Sequence, residues 1–213
     1  MKMSSLVKSS LFVFILGVSY DTSAIDLKMP GMPGKNADAG SNKENAEELL
    51  KNARNSIALF VQSKSDLVIA MGGASLLESK KNELAGLKQG DAAVSKADLE
   101  TMVSLDAALN EMIAQKTAEN SALDAKNKAA AGKAMTNYVM ALVSVKKLVG
   151  SIQGVSKNPM SAGKNIGSLA YLAKELPGVV SSGADTTKAL FTYMNAKGVD
   201  TKNAKNAAAE LGM

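Results

Sequence analysis

The 213-residue chain contains no histidine, no cysteine and no tryptophan. Without cysteine there is no disulfide framework and no thiol nucleophile, and without histidine there is no His-based catalytic triad. Loss of both residue types also removes the usual zinc and haem ligands. Aromatic side chains are scarce, with four Phe and four Tyr, and Arg54 is the single arginine. Nucleic-acid binders rely on arginine forks and stacking aromatics, so the net charge of +5, carried almost wholly by lysine, does not point to nucleic acid. A dispersed lysine surface is the simpler expectation, with weak contact to an anionic membrane or cell-wall surface as the sharper one. Four Pro and 17 Gly are too few for a collagen-like or proline-rich disordered chain.

What is present begins with an address. Lys2 and Lys8 precede the apolar run Leu11 to Val18, and Thr22, Ser23 and Ala24 supply small residues at a cleavage position. This is the layout of a secretory signal peptide. The apolar run is less than half of the about 20 residues needed to cross a bilayer. Residues 1–24 are therefore expected to be removed by a cut after Ala24 or after Ser19. No later stretch reads as long and apolar enough to span. The expected product is an exported protein, periplasmic or secreted. Residues 25–40 follow as a Met/Pro/Gly-containing leader, since Pro30-Gly31 and Pro33-Gly34 break regular structure. Met29 and Met32 within it are a thin ligand set for a soft metal, so no metal and no cofactor is expected.

From residue 41 the pattern is helical. Ser41 and Glu44 fit a capping box. Leu50, Ala53, Ile57, Phe60, Lys64, Leu67 and Met71 then recur at spacings of three and four, a seam in which Lys64 is the only polar member. Gly72-Gly73 interrupts it, and Leu76, Leu77, Leu84 and Leu87 mark a shorter helix. Ser95 and Asp98 form a second cap, followed by Met102, Leu105, Leu109 and Met112. Residues 114–130 carry only Leu123 as a large apolar residue, which fits either one solvated helix or a helix–loop–helix tip. Ala131, Met135, Tyr138, Leu142, Val145, Val149 and Ile152 restore the seam, with Val139, Met140, Val143 and Leu148 as a second face. This segment is expected to be the most buried helix.

Asn158-Pro159 marks a new helix start. The proline and glycine punctuation beyond it predicts short helices, Ile166–Leu176 halted by Pro177-Gly178, Asp185–Ala196, and a last one capped by Asp200 or Thr201. No alternating strand pattern of any length occurs. The expected fold is all-α: an elongated antiparallel helical bundle with long helices from about 42 to 150 (41–153 with their ends), then a cluster of short helices over 158–212, all within one domain, 41–213.

Chemistry in such a chain falls to carboxylates, lysines and tyrosines. Glu47, Glu48, Glu78, Glu83, Asp98 and Glu100 lie on amphipathic helices beside lysines and read as solvated faces. Ser161 to Asn165 lacks the glycine and hydroxyl positions of a phosphate loop, which would fall on Asn158 and Asn165. The adjacent Ser–Lys pairs at 79–80, 95–96 and 156–157 point about 100° apart on a helix. No catalytic residue is nominated, and the chain is expected not to be an enzyme. The leading expectation is a helical bundle that binds a protein, a cell-envelope partner or a second copy of itself. The alternative is a membrane-active, pore-forming or accessory protein that uses the apolar segment 57–77. Ile57, Phe60, Val61, Leu67, Val68 and Met71 are the candidate membrane or partner contacts.

Overall fold

A computed structural model describes residues 46–87, 94–157 and 163–213. The expected signal peptide (1–24), leader (25–40), Ser41–Glu44 cap and Asn158-Pro159 helix start lie outside the described residues. Of those described, 87% are helical and none is in a strand, so the fold is all-α. The elements are α1 (Ala46–Ala70), a 3-10 turn (Ala74–Lys80) leading into α2 (Lys81–Ala85), α3 (Lys96–Glu119), α4 (Ala125–Ser156), a 3-10 turn (Gly163–Asn165), α5 (Ile166–Ala196), α6 (Lys202–Ala208) and a closing 3-10 turn (Ala209–Leu211).

Local sequence accounts for the ends. Ser95 accepts a hydrogen bond from the Asp98 amide while the Asp98 carboxylate returns to Ser95, the capping box expected there. The ambiguous stretch 114–130 resolves as a tip. Asn120 closes α3 in the left-handed conformation (φ 51°), and Asp124 opens α4 by accepting from the Asn127 amide at 2.7 Å. Asp200 supplies the bond at the start of α6, where its carboxylate accepts from the Lys202 amide at 2.9 Å.

The four long helices form a ring in the order α1, α4, α5, α3, each packed on the next. Cross-helix pairs fix their directions. Lys64 meets Asp106, and Gly73 lies against Lys116, so α1 and α3 run the same way. Lys96 stands over Tyr171, Asn110 bonds Ser182 and Lys197 reaches the Asn120 carbonyl, so α3 and α5 also run the same way. Against them, Tyr138 meets Gly183 while Gly132 meets Asp200, so α4 opposes α5. Simple alternation of direction is thus broken between α1 and α3. Both helices therefore start toward the same end of the bundle.

Three further expectations change. Pro177-Gly178 does not stop a helix: α5 continues through it for 31 residues. Leu169, Leu172, Leu176, Val179, Gly183, Thr187, Leu190 and Met194 form one buried stripe across the proline, whereas Pro177 itself is exposed. Water at that exposed face can satisfy the carbonyl that the missing N–H leaves free. The most buried helix is α1, with 15 buried residues in 25, against ten in 32 for α4. It packs on both α3 and α4, while one side of α4 stays open to solvent. Finally, α4 is long and apolar enough to cross a membrane by length and composition, with a mean hydropathy of 1.2 over 18 residues, of which 33% are buried. Val139, Met140, Leu142, Val143, Val145, Leu148 and Val149 carry that hydropathy, and Lys146-Lys147 interrupts the run in the sequence.

Pro177→Ala should stabilise the protein by about 1–3 kcal/mol, since the substitution restores a helical hydrogen bond. A higher urea midpoint with unchanged helical circular dichroism is the expected result.

Candidate functional site

All four long helices meet at one polar cluster. Lys64 enters it from α1 because the seam that buries Ile57, Phe60 and Leu67 carries it to the same depth; its side chain is 0% exposed. An ammonium in that position needs partners for its three donors. Asp106 Oδ1 on α3 accepts one, Asn110 Oδ1 accepts another at 2.6 Å, and the Phe60 ring lies 4.4 Å from Nζ. Phe60 stacks on Tyr138 of α4 with ring centroids 5.2 Å apart.

The cluster continues into α5. Asn110 donates to Ser182 Oγ at 2.9 Å and accepts from Thr186 Oγ1 at 3.2 Å, which fixes its amide orientation. Tyr138 donates to the Gly183 carbonyl at 2.7 Å, and Thr187 donates to the same oxygen at 2.8 Å. Gly183 permits this approach: a Cβ there would fall 2.7 Å from Leu142 Cδ1 and 3.1 Å from Phe60 Cζ.

Burial dominates the electrostatics. It pushes the Lys64 amine below its ordinary value although Asp106 pulls it up, and pushes the Asp106 carboxyl above its ordinary value although Lys64 pulls it down. Attraction between the two therefore offsets only part of the cost of removing both from water. Burial also holds the Tyr138 hydroxyl well above the usual tyrosine range. The arrangement is equipped to bind helices to one another, and its hydrogen-bonding groups are turned toward protein partners.

The six candidate contact residues all lie on or just after α1 in the core, Ile57, Phe60, Val61, Leu67 and Val68 at 0% exposure and Met71 at 1%. In this conformation they face neighbouring helices. Glu47, Glu48, Glu78, Asp98 and Glu100 are exposed, and no group of three acidic residues converges among the described residues. Lys64 stands out in the sequence as the polar break in its seam. Asp106 does not, although it lies four residues after Met102 and three before Leu109, on the flank of an apolar seam. Arg54 is also buried, and its Nε and Nη1 have no hydrogen-bond partner. Elsewhere on the surface, two depressions share Asp200.

No protein-family model, curated protein or solved structure matches this chain. Function is therefore argued from the residues alone.

Lys64→Met and Asp106→Leu should each destabilise by about 3–5 kcal/mol, while the double variant should match or exceed the parent by about 1–4 kcal/mol. The single variants should respond to pH in opposite senses. With Lys64 gone, the folded state holds the Asp106 proton more tightly than the unfolded state, so stability rises as pH falls through the elevated carboxyl value. With Asp106 gone, the folded state holds the Lys64 proton less tightly, so stability rises as pH climbs from the depressed amine value toward 10.5. Urea titrations across pH read both slopes.

Proposed function

We propose that the chain is an exported, non-catalytic helical bundle, elongated along its long helices, that acts by binding a protein or cell-envelope partner. The supporting observation is the use made of its most reactive buried groups. Lys64, Asp106 and Tyr138 would be the natural acid–base set of such a chain, and each is engaged by a neighbouring helix at the centre of the fold. The secretory layout of residues 1–24 supports a partner in the envelope or outside the cell.

Photo-crosslinking of the mature protein in its own envelope extract tests this, together with sedimentation of the purified protein. Capture of a discrete partner or self-association is the expected outcome. A chain that stays monomeric and captures nothing would overturn the proposal.

A second reading draws on α4, whose composition permits a membrane crossing. In it, the bundle opens and α1 and α4 pass their apolar faces to lipid. Dye release from anionic vesicles at low salt would favour that reading, and intact vesicles would remove it.

A further inference from the structure

We propose that the depression between α4 and the segment leading into α6 binds an acidic saccharide, a sugar bearing a carboxylate or phosphate. This deepens the envelope-binding reading and rests on it for the source of such a ligand. The depression has a volume of about 530 Å³ and is lined by Lys128, Lys133, Asn137, Asp200 and Asn203 around Gly132. Its size falls among small-ligand pockets, which span about 300–1,000 Å³. A second depression of about 400 Å³ shares Asp200 and adds Lys202, Lys205 and Asn206.

The donor inventory defines the ligand. Among the described residues, the side chains of Lys128, Lys133, Asn137, Lys202 and Asn203 make no hydrogen bond or ion pair. Asp200 is the only acid lining either depression, and it already accepts from the Lys202 amide. Unpaired ammonium groups select an oxyanion. Amide side chains both donate and accept, which suits the hydroxyls of a polyol. Neither lining contains an aromatic residue for a nucleobase to stack on, or a floor of large apolar side chains for an acyl chain.

The site rests on an anchored base. A Cβ on Gly132 would lie 2.7 Å from the Asp200 carbonyl oxygen, so the segment sits directly on the α4 backbone. Val199, Thr201 and Ala204 are buried at 5%, 4% and 0% exposure, which holds Asp200 and Asn203 beside Lys128 and Lys133.

The test is an amide NMR titration of the mature protein with sodium glucuronate, glucose 6-phosphate, inorganic phosphate and glucose. Saturable shifts at residues 128–137 and 198–206 with either sugar acid are expected, and the stronger of the two identifies the anion as carboxylate or phosphate. Lys128→Glu with Lys133→Glu, and separately Asn203→Asp, should weaken that binding about tenfold or more while leaving the thermal midpoint in place. Shifts that fail to saturate, shifts spread over lysines throughout the chain, inorganic phosphate binding as tightly as the sugar acids, or variants that bind like the parent would each overturn the site. Failure of both sugar acids to saturate, with a partner still captured, would remove this site and leave the binding function standing. Sugar-acid saturation without any captured partner would do the reverse.

Discussion

One ammonium group sets the terms for this bundle. Lys64 lies where no water reaches, and a charge so placed is tolerable only if the surrounding helices hold its partners at fixed positions. Asp106 and Asn110 bring α3 into line with α1, the stacked Phe60 and Tyr138 bring α4, and Asn110 extends the chain of bonds to Ser182 and Thr186 on α5. An apolar seam alone would accept several sliding positions of nearly equal energy. A slip of α3 by one turn would leave Lys64 without its carboxylate. A buried ion pair of this kind adds little net stability, while any packing that separates the partners leaves a charge unpaired out of water.

Much of this organisation was legible in the sequence. The α1 seam from Leu50 to Met71 is buried throughout, the Ser95–Asp98 box forms as its spacing implies, and most of the apolar positions from Ala131 to Ile152 face the core. Periodicity reports such features because each depends on one helix presenting one face. Features that depend on two helices at once were less visible. Asp106 becomes significant only when α1 delivers Lys64 to it. Pro177 reads as a stop until the stripe on both sides is followed across it. Directions of packing were hidden for the same reason: amphipathic spacing has no arrow, so the parallel relation of α1 and α3 emerges only from the pairs they share.

The proposed binding surface was harder still to see. The lysine and asparagine residues at 128–137 and 200–206 look like ordinary solvated positions in a linear chain. They line two depressions that share Asp200 because Gly132 lets the segment after α5 lie against α4, a contact between positions about 70 residues apart. The apolar residues of α1 drew attention in the sequence and serve the interior, whereas unremarkable polar residues line the depressions. Conspicuous hydrophobicity located the core, and surplus hydrogen-bonding capacity located the candidate binding face.

The parallel run of α1 and α3 also bears on how the molecule forms. Because α1 pairs chiefly with α4, its main partner is made only after residues 125–156 have left the ribosome. The contacts that define the core are therefore distant in sequence, unlike those of a bundle built from successive hairpins, and high contact order slows folding. A nascent chain with α1 complete but α4 missing has no closed interior to fall into, and it would stay pliable until synthesis is well advanced. On the proposed export route, through a narrow translocation channel, such delayed closure would keep the chain passable.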